Sequence, residues 1–99
     1  VMWVNYPNMP TGAIAEKDNL QKVVDFARKH NLLLVNDNPY SLVLPKQKPL
    51  SILSLEGASE NCLELNSLSK SHNMAGWRVG MVGGDNNLIA PVLKFMSNI

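Results

Sequence analysis

The chain has 99 residues, 45% hydrophobic and 17% charged, which suits one globular domain at most. Nine Lys and Arg stand against eight Asp and Glu for a net charge of +1, with no run of like charge, so neither nucleic acid nor an anionic membrane surface is an expected partner. Apolar runs such as Leu32 to Val35 fall far short of the ~20 residues of a membrane span, and the single Cys62 cannot form an internal disulfide, so it reads as a small core residue, compatible with a reducing cytoplasm.

VMWVN (Val1 to Asn5) is a short apolar run consistent with a buried strand. It stops at YPNMPTG, where Pro7, Pro10 and Gly12 exclude both helix and central strand. From about Glu16 to His30, Leu20, Val23, Val24 and Ala27 fall at i, i+3, i+4 and i+7, one face of an amphipathic helix. Glu16 and Asp18 suit the positive end of that helix, although Ala15 is a poor N-cap. LLLVND (Leu32 to Asp37) is a continuous apolar run of the kind buried in a parallel sheet, with Asp37 at its carboxyl end. NPYSLVLPKQKPL, punctuated by Pro39, Pro45 and Pro49, reads as loop, followed by a short helical turn over Leu50 to Glu56. CLELNS (Cys62 to Ser67) is a third strand ending just before Lys70, and WRVGMVGG (Trp77 to Gly84) a fourth. NNLIAPVLKFMSNI is helical in pattern, with Pro91 expected in its first turn or at a kink.

This order predicts an α/β fold of three parallel strands plus a fourth antiparallel strand, with flanking helices. The fourth is expected antiparallel because a link of about ten residues is short for a parallel crossover. With the strands in sequential order both crossovers share one face, and a run like Leu32 to Val35 is then expected to be poorly covered on the other. Together with an opening inside a strand-like run and a close on KFMSNI without a helix stop, this leads us to expect native sequence beyond both ends.

In an open parallel sheet, ligands bind outside the carboxyl ends of the strands, and three distinctive segments converge there. These are YPNMPTG, Asp37 to Tyr40, and the stretch LNSLSKSHNMAGWRVG (65 to 80) around Lys70. In the last, Ser67, Ser69 and Ser71 crowd the lysine, Arg78 follows, and Gly76 and Gly80 are expected to let the backbone approach something bulky. Each feature alone has a plainer reading: a polar loop with a solvated lysine, an Asp-Asn-Pro turn former, a rim tyrosine, a surface arginine. His30 and His72 lack matching partners and read as structural or exposed, and Trp3 and Trp77 as packing residues.

Three segments, NYPNMPTGA at 5 to 13, NDNPY at 36 to 40 and SLSKSHNMAGWRVG at 67 to 80, resemble the fold type I enzymes that use pyridoxal 5'-phosphate, and among them the class I and II aminotransferases. The resemblance implies that residues 1–99 are a fragment of the large, cofactor-binding domain, without its N-terminal part and the C-terminal small domain. It implies that Lys70 forms a Schiff base with the cofactor aldehyde and later shuttles a proton, a pairing of tasks open only to a primary amine. Asp37 would pair with the pyridine nitrogen, Tyr40 would direct its phenol to the ring's 3-oxygen, and Ser67, Ser69 and Arg78 would bind the phosphate. The family pattern has asparagine before Pro-Thr-Gly as a second donor to the ring oxygen; this chain has Met9, whose thioether cannot donate.

The resemblance further implies a cytoplasmic homodimer moving an amino group between an alpha-amino acid and a 2-oxo acid, the fragment alone being inactive. A carbon-sulfur lyase or decarboxylase of the same fold, and a sensor domain of a transcriptional regulator, are the alternatives. No metal cluster, P-loop or Ser-His-Asp arrangement competes.

Overall fold

The computed structural model of the chain describes residues 1–43 and 48–98. The expected turn at Pro45 and the last residue of the expected C-terminal helix lie outside them. A single four-stranded sheet runs β1 (Met2–Val4), β2 (Leu34–Asp37), β3 (Cys62–Ser67) and β4 (Gly80–Gly84), in sequential order. β1, β2 and β3 are parallel, and β4 is antiparallel to β3, pairing Ser67 with Gly80 and Leu63 with Gly84. The predicted fold class therefore holds, down to the direction of the fourth strand.

Alternation along the strands sorts the side chains into two faces. Met2, Leu34 and Cys62 form one cross-strand row, and Val4, Asn36 and Glu64 the next. These rows meet helix α1 (Lys17–Lys29), whose buried residues Leu20, Val24 and Ala27 pack with Leu34 and Cys62. The β2 to β3 connection returns on the same face through two 3₁₀ turns, Ile52–Ser54 and Ala58–Glu60, which add Ile52, Leu55 and Ala58 to the core. The first of these matches the expected turn; the second, lacking apolar periodicity, left no signal in the sequence. The Gln21 amide clamps α1 to this connection, donating to Glu56 O (3.0 Å) and accepting from Glu56 N (3.1 Å). Arg28 adds a two-pronged pair with Glu60, both contacts 3.1 Å.

On the opposite face the expectation of poor cover needs correcting. Val35 and its β3 neighbour Leu63 are each only 4% exposed, because their strands are central and are screened by neighbours on both sides. Uncovered apolar surface lies instead at the rim: Trp3 on β1 is 63% exposed, as are Leu93, Phe95 and Met96 on the C-terminal helix to similar extents. Helix α3 (Asn86–Ser97) contacts β3 and β4 and is capped by Asp85, whose carboxylate accepts from Asn87 N at 2.8 Å. Pro91 lies beyond its first turn and the helix runs through it, at the cost of the bond its N–H would have given Asn87 O. No helix among the described residues is long and apolar enough to cross a membrane.

Candidate functional site

Parallel pairing puts the carboxyl ends of β1, β2 and β3 on one edge, and the antiparallel β4 begins at that same edge. All six residues singled out in the sequence therefore lie along it. Asp37 is the last residue of β2 and its side chain is exposed. Tyr40 follows in the turn beyond, half-buried, its carbonyl accepting from Val43 N at 2.9 Å.

Ser67 ends β3 and at once caps a short helix, α2 (Leu68–Ser71), its hydroxyl accepting from Ser69 N at 3.1 Å. That cap converts the strand into a helical turn and carries Lys70 out to an exposed position at the edge. Among the described residues the Lys70 ammonium makes no hydrogen bond or ion pair, the ion pair present being Arg28 with Glu60. Ser71 donates to Ser67 O at 3.3 Å and lies 2.7 Å from His72 Nδ1. Which of Ser71 and His72 donates is set by the imidazole tautomer.

One expectation at this loop is corrected. Arg78 does not head a strand: it follows the 3₁₀ turn Ala75–Trp77, has the left-handed conformation (φ 55°), and precedes β4 by two residues. A single bond of 3.3 Å to Ala75 O leaves most of its guanidinium donors open. A Cβ at Gly80 would lie 3.0 Å from Asn66 O, so this glycine lets β4 approach β3, while the space around Gly76 is open.

The loop after β1 is bound to this edge by Asn5, whose Nδ2 donates to Asp37 O at 2.7 Å and whose Oδ1 accepts from Asn8 Nδ2 (3.0 Å) and Met9 N (3.1 Å). Asn8 is occupied at its other end too, accepting from the Thr11 hydroxyl at 2.7 Å. Beneath the edge lies a polar cluster that motif reading missed. Asn36 and Asn38 are buried, as is Glu64 at 4% exposure. The signal was present: within CLELNS, alternation puts Glu64 on the same face as Cys62, where an apolar residue is the rule.

A cavity of about 510 Å³ opens beside Glu64, Asn66 and Met81; Ser67 lines it, while Asp37, Tyr40, Ser69, Lys70 and Arg78 do not. Along the edge lie one unpaired primary amine, one exposed carboxylate, one guanidinium with open donors, a phenol and two hydroxyls. That donor set suits a small aromatic phosphate ester with a carbonyl group and a basic ring nitrogen. The groups fit pyridoxal 5'-phosphate.

The chain is thus an α/β sheet that carries a lysine, a carboxylate and an arginine at its carboxyl edge. The sequence matches the profile of the aminotransferase class I and II family over residues 1–99, and the chain belongs to that family. It is 47% identical over 100 residues to an LL-diaminopimelate aminotransferase of Dehalococcoides mccartyi, and 42% to one of Aquifex aeolicus; each alignment takes in 100% of this chain and 26% of the relative. Among solved structures it is similar to a probable N-succinyldiaminopimelate aminotransferase from Thermus thermophilus, with a TM-score of 0.93 and 41% identity over 98% of this chain and 26% of that one. It is also similar to an aromatic aminotransferase from Pyrococcus horikoshii, with a TM-score of 0.86 and 33% identity over 97% of this chain and 26% of that one. The chain thus spans 26% of the length of these relatives.

Proposed function

We propose that residues 1–99 are part of the large, cofactor-binding domain of a pyridoxal-phosphate-dependent aminotransferase, which in its whole form is a cytoplasmic homodimer moving an amino group between an alpha-amino acid and a 2-oxo acid. The observation that carries this reading is the unpaired Lys70 amine on the same sheet edge as the Asp37 carboxylate and the Arg78 guanidinium.

When bound, the cofactor supplies an aldehyde for attachment and a ring that can accept the electrons of a substrate carbanion. Lys70 Nζ would be the primary amine that anchors the aldehyde and, once freed, the base that carries a proton. The Asp37 carboxylate would keep the ring nitrogen protonated, and a neutral residue there would weaken the electron sink. Tyr40 would direct its phenol to the ring's 3-oxygen. Ser67 and Ser69 hydroxyls and the Arg78 fork would hold the phosphate.

Borohydride reduction of the whole protein, followed by peptide mass analysis, tests this without recourse to activity. The cofactor mass is expected on the peptide holding Lys70, and Lys70→Ala is expected to abolish both that adduct and the visible absorbance. Absorbance that survives Lys70→Ala would sink the assignment. These 99 residues alone are expected to hold the cofactor weakly and to be inactive. Half-transamination with a panel of amino donors, diaminopimelate first because the similar proteins act on it by name, then identifies the substrate.

A further inference from the structure

Glu64 is an acid in the middle of a strand, 4% exposed, with no cation within ion-pair distance among the described residues. Burying a charge in such a place is costly unless every oxygen is held by donors, and here the donors come from three separate segments. Oε2 accepts from Ile52 N at 2.8 Å and from Asn36 Nδ2 at 3.3 Å, and Oε1 from Asn66 Nδ2 at 3.5 Å. Asn36 lies directly across from Glu64 in the β2–β3 register and is itself fully buried.

The direction of these bonds matters. A carboxylate can only accept, so Glu64 forces the Asn36 amide to present its NH₂ group toward β3. The Asn36 carbonyl oxygen is then turned the other way, where it accepts from Tyr6 N at 3.2 Å. Tyr6 opens the loop that Asn5 ties to Asp37 O, and Asn36 immediately precedes Asp37. We propose that Glu64 is a positioning residue: acting through Asn36, it fixes the Tyr6 backbone and so holds the loop from Asn5 to Ala13 against the Asp37 edge. This rests on the reading of that edge as the cofactor site. Glu64 touches no reacting atom; its effect on the site is passed through Asn36.

The test uses the whole protein with Glu64→Leu, Glu64→Gln and Asn36→Ala. Two quantities are read: exchange of the Tyr6 amide relative to the Leu34 amide, which bonds Asn61 O within the core, and the visible circular dichroism of bound pyridoxal phosphate. Glu64→Leu frees the Asn36 amide to turn, and Asn36→Ala deletes the acceptor of Tyr6 N while leaving Glu64 its other donors. Both are expected to raise the Tyr6-to-Leu34 exchange ratio roughly fivefold, the loss of about one net hydrogen bond, and to weaken the circular dichroism band. Glu64→Gln keeps one carbonyl oxygen for Ile52 N and Asn36 Nδ2, and Asn66 can flip to meet its NH₂, so it is expected to restore both signals. If Glu64→Leu fails to fold, Asn36→Ala decides. An unchanged exchange ratio and band in Asn36→Ala would overturn the proposal, and so would a Glu64→Gln protein as impaired as Glu64→Leu. A parent protein that binds no cofactor would overturn the functional reading instead, and the exchange ratios would still decide the positioning.

Discussion

Replacing Asn5 with alanine removes three hydrogen bonds at once: the donation to Asp37 O and the two accepted from Asn8 Nδ2 and Met9 N. Water reaches the first and third, so those count toward the low end of the ~0.5–1.5 kcal/mol net for such a bond, while the half-buried bond to Asn8 counts near its middle. The sum is about 2 kcal/mol, and it falls on the loop and leaves the sheet untouched. The natural reporters are the amides of Asn8 and Gly12, because their own partners, Ala13 O and Asn8 O at 2.8 Å each, survive the substitution. At about 1.4 kcal/mol per tenfold, their exchange is expected to quicken roughly 30-fold in Asn5→Ala, with Leu34 unaffected. Asn5→Asp separates the contributions. It keeps the acceptor for Asn8 and Met9, loses the donor to Asp37 O, and is expected to quicken the same amides only about twofold, the worth of that one exposed bond. Exchange at Gly12 that stays at the parent rate in Asn5→Ala would refute the claim that this side chain binds the loop to the strand edge.

Other substitutions probe the frame beneath. Ile52 is fully buried between α1 and the sheet, so Ile52→Ala is expected to cost about 3 kcal/mol in urea unfolding of the whole protein, against well under half that for Phe26→Ala, which is 50% exposed. Gly57 has φ 74° and a Cβ there would displace the Arg28 guanidinium, so Gly57→Ala is expected to lower the thermal midpoint through left-handed strain of about 1 kcal/mol. Burial raises the Cys62 thiol from about 9 to about 11. The folded chain therefore binds the proton more tightly than the unfolded one, so this contribution to stability is intact below pH 9 and is lost as pH rises toward 11. Denaturation midpoints across that window are expected to fall less steeply in Cys62→Ala. Arg78→Lys, which keeps the charge and gives up the fork, is expected to weaken pyridoxal phosphate retention about tenfold by equilibrium dialysis.

The strands were legible because each is an apolar run ending in a turn former, and the bounds read for β3, Cys62 to Ser67, are those observed. The direction of β4 followed from the length of its link. What the sequence concealed was local and set by tertiary contacts. Ser67 serves as strand end and helix cap together, so α2 carried no periodicity of its own. WRVGMVGG reads as one continuous strand, yet the chain reaches β4 only after a left-handed residue at Arg78, since Gly80 must first come close to Asn66 O. At the edge itself, the residues with distinctive chemistry stood out because strand ends gather them. The amides and acid that hold them, Asn5, Asn36 and Glu64, did not, because their roles lie in bonds to backbone atoms far away in sequence, 32 residues away for Asn5 and Asp37.

Met9 brings these two kinds of residue together. The loop geometry ties down the neighbouring amides: Asn8 donates to Asn5 and accepts from Thr11, and Asn5 donates to Asp37 O and accepts from Met9 N, so neither is free to swing into the place of the missing donor without breaking these bonds. On the proposed reading Tyr40 would be the one donor of this pair to the ring's 3-oxygen, which would then keep more negative charge and hold a proton on the nitrogen joining Lys70 to the cofactor up to higher pH. Met9→Asn supplies a donor at a half-exposed position, 53% for Met9, so the lower end of the ~1.5–3 kcal/mol for a bond to a charged group applies. That is about one pH unit, downward, in the absorbance titration of the whole protein with cofactor bound. Met9→Leu, which adds no donor, is the control and is expected to leave the transition in place. A Met9→Asn transition coinciding with that of Met9→Leu would show that the loop as held by Asn5 keeps position 9 out of reach of the ring oxygen.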